Sequence, residues 1–327
     1  MGGIADKGYV FVGIGTVLHF LVDGLCLCCI YLLTAPFELN NLLWLFITYN
    51  ILAFLTQPLT GWMADRISRK HWMLLFSVAF LSLAVLLTPF FVTSGGKMEL
   101  FVVAMLLGIG NSLFHVWGGK QVVMKVGNDI RSLGVFVSTG VFGLSVAMVF
   151  CSWTLLYVFL LAICILATIY IMTDKQVSNS SHHETNTAPL GLQERSSFNA
   201  QHLIALTALA AFVMFRSYVG TEFAFGTEKS DFVLLAIGST SMLGKMAGGW
   251  FSRWFGILRA LIVMLVIVLV CMLTGSKSLM VLLLGLFMIN CTMPITLYLA
   301  NYVLPEREGL AFGILAAALM PGYLLKS

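Results

Sequence analysis

Between two long apolar runs the chain reads Gly61-Trp-Met-Ala-Asp65-Arg66-Ile-Ser-Arg69-Lys70, which places three cations and one carboxylate in a short polar segment. A glycine at the end of an apolar run allows two membrane helices to approach each other closely. Asp65 can cap the N-terminus of a neighbouring helix or pair with an arginine. The cations favour the cytoplasmic side of a membrane. The segment therefore predicts a charged loop that joins two membrane helices.

The composition of the chain supports this interpretation. Hydrophobic residues make up 60% of the 327 residues and charged residues only 10%, whereas soluble domains carry roughly 25% charge. The seven cysteines all lie in apolar runs, which argues against a disulfide framework. Cys26, Cys28 and Cys29 cluster in one run, where a thiolate metal site is conceivable but helix packing is favoured. The sequence thus predicts an all-α polytopic membrane protein without a metal site.

The hydropathy of the chain predicts eleven transmembrane helices, since a spanning helix needs about 20 apolar residues. One long polar segment, 173–200, separates the sixth helix from the seventh and is predicted to be a mostly disordered linker. It divides the chain into an N-terminal half, 1–172, and a C-terminal half, 201–327. The predicted helices are 9–33, 41–63, 71–93, 98–122, 131–152, 154–172, 201–223, 231–252, 258–274, 278–303 and 309–325.

Loops rich in basic residues alternate along the chain with loops that have few, and this alternation predicts the orientation of the chain. The loops on one side hold most of the lysines and arginines, and the linker lies on that side. The positive-inside rule therefore places the N-terminus and the 173–200 linker in the cytoplasm, and an odd number of helices places the C-terminus outside. We expect a multi-pass protein of a plasma membrane or a bacterial inner membrane.

The charged segment resembles the signature loop between the second and third helices of the major facilitator superfamily. Five of its residues match the pattern, and Ser68 stands where the pattern has a second glycine; the matching residues are Gly61, Asp65, Arg66, Arg69 and Lys70. A degenerate second copy follows the eighth predicted helix, where Gly248 and Arg253 match and Ser252 replaces the aspartate. The resemblance implies that these residues form a cytoplasmic gate made of Gly61, Asp65, Arg66, Arg69, Lys70 and Arg253.

The resemblance also implies a fold of two pseudo-symmetric helical bundles joined by a cytoplasmic linker. The family pattern has a twelfth helix, which is missing from the predicted set. The sequence leaves open whether the chain is truncated or has eleven spans. A short segment of the fourth helix, Asn111-Ser-Leu-Phe-His115-x-x-Gly-Gly, is loosely similar to bacterial facilitators related to fosmidomycin-resistance exporters.

Polar and ionisable residues inside the predicted helices are the candidate site residues, because such groups are costly in a bilayer unless they are paired or hydrated. His19 and Asp23 lie one turn apart on the first helix, and Asn111 and His115 lie one turn apart on the fourth. In the superfamily, helices 1, 4, 7 and 10 line the central cavity. The resemblance therefore implies that the candidates for substrate binding or proton coupling are His19, Asp23, Asn111, His115, Arg216 and Asn290.

Several of these residues allow two interpretations. Asp23 and His115 could exchange a proton, or they could form a structural hydrogen bond between helices. Arg216 could be the counter-ion of Asp23 or the anchor of an anionic substrate, and it could equally pair with Glu222 or extend to the membrane surface. Lys120 is expected to extend to the cytoplasmic interface.

Lys245 and the glycines of the fifth helix also allow two interpretations. Lys245 is expected either to reach the cytoplasmic interface or to pair with Asp65. The glycines of the fifth helix, Gly134, Gly140 and Gly143, faintly resemble an antiporter motif, but close helix packing is favoured.

The predicted function is secondary active transport of a small solute, coupled to protons and working by alternating access, with the direction unresolved. No nucleotide-binding loop, zinc motif or nucleophile elbow is present, which argues against a primary pump, an enzyme and a cofactor. The expected partners are a small solute, protons and the lipid bilayer, and not nucleic acid. The alternative is a non-transporting relative that acts as a receptor or an assembly partner; an intramembrane enzyme is a third possibility, without a motif.

Overall fold

The structure of the protein is a computed structural model that describes residues 2–37, 43–67, 71–94, 96–182, 199–225, 230–275 and 278–324. All regular secondary structure in these ranges is helical. We number the helices to follow the predicted ones: α1 Gly2–Thr34, α2 Leu43–Arg66, α3 Trp72–Ser94, α4 Lys97–Val126, α5 Ile130–Phe150, α6 Trp153–His182, α7 Ala200–Phe225, α8 Asp231–Phe255, α9 Ile257–Leu273, α10 Leu279–Val303, and α11, which comprises Glu308–Ala317 and Leu319–Leu324.

Membrane-spanning length and composition confirm the predicted fold class. Nine helices in the described part of the chain are long and apolar enough to cross a membrane. The two shorter apolar helices are α9 and α11, and each corresponds to a predicted span. All eleven predicted helices are therefore present, and the protein is an all-α, multi-pass membrane protein.

Helix α6 extends beyond its predicted end at 172 and continues to His182, so the prediction that the linker begins at 173 was wrong. The cause is Asp174, which is 2% exposed and receives the side chains of His71 (3.0 Å from Nε2) and Lys125. These ion pairs hold the polar extension of α6 against α3 and α4. Residues 183–198 lie outside the described residues, so the remainder of the linker and the division into two halves stay predictions.

Three helices, α2, α10 and α11, are each interrupted shortly before a proline. Proline has no backbone N–H, so it cannot close the hydrogen bond to the carbonyl group four residues earlier. The interruption of α2 is a π-helical turn over Ile51–Leu55. The three prolines are Pro58, Pro294 and Pro321.

Glycines bring helices of the first half against helices of the second half in two places. In the α2–α11 contact, a Cβ atom placed on Gly61 would lie 2.2 Å from the carbonyl oxygen of Gly309. In the α5–α8 contact, a Cβ atom on Gly249 would lie 2.8 Å from the Cα atom of Arg131. The close approach expected at Gly61 is therefore a contact between backbones of the two halves. We call the end of the bundle that holds this contact the Asp65 end.

Gly61→Ala is expected to destabilise this closed contact, because the added methyl group has only backbone to displace. Overpacking of this kind typically costs about 1–3 kcal/mol. The measurement is the midpoint of thermal unfolding in detergent, which should fall. Gly13→Ala is the matched control, since a Cβ atom there would meet nothing within 4 Å. Equal midpoints for the two variants would contradict the contact.

The three clustered cysteines of α1 point to different partners. The Sγ atom of Cys26 accepts a hydrogen bond from Asn111 on α4 (3.7 Å), Cys29 contacts Thr88 on α3 (3.1 Å), and Cys28 contacts Cys151 in the connection between α5 and α6 (2.8 Å between sulfurs). Each sulfur therefore packs against a different part of the bundle, in agreement with the packing interpretation.

Candidate functional site

Helices α1 and α4 bring four of the six predicted site residues into one buried cluster around Asp23. Asp23 Oδ1 lies 2.9 Å from His115 Nε2 and 3.1 Å from Asn111 Nδ2. Asp23 Oδ2 lies 3.3 Å from His19 Nε2. The side chains of Asp23, His19 and His115 are only 13%, 6% and 11% exposed. A carboxylate at this depth is tolerated because several polar groups surround it. We call these four residues the Asp23 cluster.

The hydrogen bonds of His19 determine which of its nitrogen atoms carries a proton. Its Nδ1 lies 2.7 Å from the backbone carbonyl oxygen of Phe136 on α5. A carbonyl oxygen only accepts hydrogen bonds, so Nδ1 must be the donor. In a neutral imidazole the other nitrogen then has no proton. Nε2 of a neutral His19 would therefore direct a lone pair at the carboxylate oxygen of Asp23.

A neutral His19 protonated on Nδ1 and an ionised Asp23 cannot hydrogen-bond to each other. Adding one proton to the pair supplies the missing donor. The proton can reside on His19 Nε2, which makes an imidazolium, or on the carboxyl group of Asp23. Without it, two hydrogen-bond acceptors face each other at 3.3 Å in a buried site. The geometry thus places an imidazole anchored by a backbone carbonyl group against a buried carboxyl group.

A glycine of α5 provides the space for this pair. A Cβ atom on Gly140 would lie 2.1 Å from Asp23 Oδ2 and 2.5 Å from His19 Nε2. On the same helix, a Cβ atom on Gly143 would lie 2.1 Å from the carbonyl oxygen of Phe20. The α5 glycines therefore allow α1 to pack against α5, which supports the packing interpretation of the glycine pattern.

The same donor atoms form a group that could hold a metal ion, which the sequence did not predict. His19, Asp23 and His115 each offer one ligand atom, and these atoms all lie within 4.8 Å of one another. Two imidazoles and one carboxylate suit divalent transition metals. No sequence spacing indicated this group, because its members come from α1 and α4 and meet only in the folded bundle.

Arg216 on α7 is buried, but it does not form an ion pair with Asp23. Its side chain is 5% exposed, and its Nε and Nη2 atoms have no hydrogen-bond partner. Among the described residues no carboxylate lies within 4 Å of it, so the predicted ion pairs with Asp23 and Glu222 are not formed. A cation in this position costs several kcal/mol unless something compensates its charge.

Lys245 on α8 does not form the ion pair with Asp65 that was one of its two expected roles. Its ammonium group is close enough to Arg216 and to Asp23 to interact electrostatically with both. It forms no ion pair with any described residue. Lys245 thus lies near both a cation of its own half, Arg216, and the carboxylate of the first half, Asp23.

Asn290 on α10 is not part of the Asp23 cluster. Its Nδ2 atom donates to the carbonyl oxygen of Leu286 in its own helix (2.8 Å), and its Cβ atom packs near Gly244 on α8. Asn290 therefore packs beside Gly244, the residue that precedes Lys245 on α8, and its amide group does not hydrogen-bond to Asp23.

The predicted gate centres on Asp65, which joins the two halves. Its Oδ1 and Oδ2 atoms accept hydrogen bonds from the backbone N–H groups of Gly309 (3.0 Å) and Leu310 (2.8 Å), at the start of α11. A carboxylate at a helix N-terminus is favoured by the helix dipole. Asp65 therefore caps a helix of the opposite half, one of the two roles expected from the sequence.

Lys120 completes this contact, which the sequence did not predict. Its Nζ atom lies 3.0 Å from Asp65 Oδ1 and donates to the carbonyl oxygen of Ala64 (2.8 Å). The expected extension of Lys120 to the cytoplasmic interface stays a prediction. We call Asp65, Lys120 and the first turn of α11 the Asp65 lock.

Two of the remaining predicted gate residues, Arg66 and Arg253, form no ion pair with Asp65. Arg66 is exposed and stacks on Trp62, with 4.0 Å between its Cζ atom and the ring centre. Arg253 is exposed and forms no ion pair with the described residues. Arg69 and Lys70 lie outside the described residues. Their predicted role in the gate stays a prediction.

The degenerate second copy of the loop has a physical explanation. Ser252, which replaces the aspartate, donates to the carbonyl oxygen of Gly248 in its own helix (2.7 Å) and caps nothing. The neighbouring helix α5 is instead capped by its own Asp129, whose carboxylate accepts from Ser132 N (3.2 Å) and Ser132 Oγ (2.7 Å). The second interface therefore needs no carboxylate from α8.

Hydrogen bonds keep Asp129 ionised at the start of α5. Burial raises the pKa of Asp129, but hydrogen bonds from Ser132 and Arg131 lower it more, so its pKa lies below the ordinary value of an aspartate. The capping contact is therefore present at neutral pH and weakens only in acid.

Comparisons with known proteins agree with this architecture. The structure is similar to the E. coli fucose:proton symporter (TM-score 0.68, 12% identity) and to a bacterial homologue of the iron transporter ferroportin in an outward-facing state (TM-score 0.60, 16% identity). Each alignment covers 97% of this chain and 90% of the other, and at these identities it shows the fold alone. No curated protein matches the sequence.

The family model described as Major Facilitator Superfamily matches residues 12–325, nearly the whole chain. That match includes both interfaces between the halves, the Asp23 cluster and the Asp65 lock. The looser similarity of α4 to fosmidomycin-resistance exporters is not tested by these comparisons. The chain belongs to the Major Facilitator Superfamily, a family of secondary transporters.

Proposed function

We propose that the protein couples the movement of a small solute to the movement of a proton, and that the proton binds in the Asp23 cluster. The observation that carries the proposal is the hydrogen bond from His19 Nδ1 to the carbonyl oxygen of Phe136. It leaves His19 Nε2 facing Asp23, so this buried pair needs a proton to be stable. The E. coli neighbour is named as a proton symporter, which is consistent with this coupling.

Alternating access gives the proton a path to both sides of the membrane. The two halves rock around the central site, and the Asp65 lock holds one end closed while the other end opens. When the cluster becomes accessible to water, the carboxylate is hydrated and its proton can leave. When the cavity closes, the unprotonated pair is unfavourable. The empty carrier therefore returns more readily with its proton bound.

The N-terminus and the polar extension of α6 face the cytoplasm in this proposal, because basic residues dominate the loops at the Asp65 end. A cysteine-free protein with a single cysteine at Ser181, in the last turn of α6, tests the orientation. A membrane-impermeant maleimide should label this site only after the cells are opened. A single cysteine at Met98, which is 75% exposed at the start of α4, should be labelled in intact cells. The reverse pattern would overturn the orientation.

Purified protein in liposomes with an imposed pH gradient tests the function. A panel of neutral, anionic and cationic solutes should include at least one that accumulates against its own gradient while the pH gradient lasts. An uncoupler that dissipates the gradient should stop the accumulation. A receptor or assembly partner would accumulate none of the panel, and its binding would not respond to the gradient.

A further inference from the structure

The second half of the molecule contributes a buried arginine and a partly buried lysine, Arg216 and Lys245, which form no ion pair with any described residue. Arg216 is 5% exposed, and two of its three guanidinium nitrogens, Nε and Nη2, have no partner. Lys245 has no carboxylate within ion-pair distance among the described residues. The two cations interact with each other electrostatically, which is unfavourable in a membrane interior. This pair of charges would destabilise the protein unless a bound group compensated it.

Asp23 is not available to neutralise Arg216 and Lys245. Its Oδ1 atom already accepts from His115 and Asn111, and its Oδ2 atom faces His19. Asp23 therefore has its hydrogen-bond partners within the first half, and Arg216 and Lys245 are left without an ion-pair partner among the described residues. An incoming group that neutralises them must carry negative charge.

We propose that the transported solute is an anion, bound through a carboxylate or phosphate group by Arg216 and Lys245. The inference rests on the proposed transport function and names its class of substrate. A guanidinium group matches the two oxygens of a carboxylate or a phosphate with two parallel hydrogen bonds, and the ammonium group adds a second charge. The unpartnered Nε and Nη2 atoms are two donors available for such a contact.

Thermal unfolding of the purified protein in detergent tests the inference without any transport. The probes are sodium salts of small mono- and dicarboxylates and of inorganic phosphate at constant ionic strength, compared with neutral sugars and small amines. At least one class of anion should raise the unfolding midpoint of the wild-type protein. Carboxylate and phosphate arms distinguish the two chemistries.

Substitutions separate a binding role of Arg216 from a structural one. Arg216→Gln should weaken the stabilising anion about 30-fold or more, the usual effect of removing one member of a buried charge pair. In the absence of anion the same variant should unfold at a higher temperature than wild type, because it no longer buries an unpaired cation. Lys245→Gln should behave in the same way but less strongly. Arg259→Gln, an exposed arginine at the start of α9, is the matched control and should change neither property.

Each outcome has a defined meaning. Stabilisation and gradient-driven accumulation of a neutral or cationic solute, unaffected by Arg216→Gln, would overturn the anion inference and leave the transport proposal intact. Binding of an anion that depends on Arg216, without any gradient-driven accumulation, would support the anion site and contradict proton-coupled transport. A lower unfolding temperature of empty Arg216→Gln would show that the arginine is structural and would overturn the inference.

Discussion

Asp23→Asn is expected to reduce transport driven by a pH gradient to the level of empty liposomes. The amide keeps the shape of the side chain and resembles the protonated carboxyl group, so the variant stays in the proton-loaded form. Its Nδ2 group can donate to His19 Nε2, which removes the conflict between acceptors. Substrate binding and exchange at equal pH on both sides should therefore remain. The measurement is solute flux in liposomes with and without the gradient.

Two further variants bracket this result. His115→Gln should reduce gradient-driven flux less than Asp23→Asn does. His115 contacts Asp23, but the proposed proton lies between Asp23 and His19, and a glutamine amide can still donate to the carboxylate. Asp129→Asn is the matched control: it removes a carboxylate outside the cluster, and asparagine is an equally good N-cap, so transport should be unchanged. Normal gradient-driven transport by Asp23→Asn would show that Asp23 does not carry the coupled proton.

Asp65→Asn is expected to open the Asp65 end of the bundle. The substitution removes the ion pair with Lys120 and one of the two charge-assisted hydrogen bonds to the start of α11. Losses of this kind amount to about 2–3 kcal/mol, which shifts a two-state equilibrium roughly 30- to 150-fold. Insertion should be normal, and transport should be reduced because the closed state is less populated.

Pulsed electron paramagnetic resonance measures this opening directly. Spin labels at Met124 on α4 and Tyr302 on α10 report on the two halves, since both side chains are exposed, 54% and 75% respectively, near the Asp65 end. The distance distribution should shift to longer values in Asp65→Asn. Arg66→Gln, the neighbouring charge that only stacks on Trp62, is the control and should leave the distribution unchanged. An unchanged distribution in Asp65→Asn would mean that the loop sets topology only.

Hydropathy was sufficient to predict most of the fold, and helical periodicity was sufficient to predict which site residues share a helix face. The helices are long and apolar, so their existence follows from hydropathy. His19 with Asp23, and Asn111 with His115, are each one turn apart, so the sequence places each pair on one face of its helix. The convergence of those two faces came from the family resemblance, and the structure confirms it by direct contacts.

The remaining features depend on partners that are distant in sequence. Lys120 pairs with Asp65, and Asp174 binds His71 and Lys125, only because helices pack in a particular arrangement. No local pattern distinguishes these cations from lysines that extend to the membrane surface. The same is true of the hydrogen bond between His19 and the carbonyl oxygen of Phe136. Backbone acceptors leave no trace in the side-chain sequence, so the contact on which the proposed proton site rests could not be predicted from the sequence.

Nitrogen-15 NMR of the histidine side chains tests the central claim most directly, because it reports on the proton itself and needs no solute. The resonances of His19 are assigned with His19→Gln among the six histidines of the chain. Across a pH titration, Nδ1 of His19 should remain protonated, and a single proton should be lost from the His19–Asp23 pair as the pH rises. In Asp23→Asn this titration should disappear. A neutral His19 protonated on Nε2, beside an ionised Asp23, would show that the pair is stable without an added proton and would contradict the account.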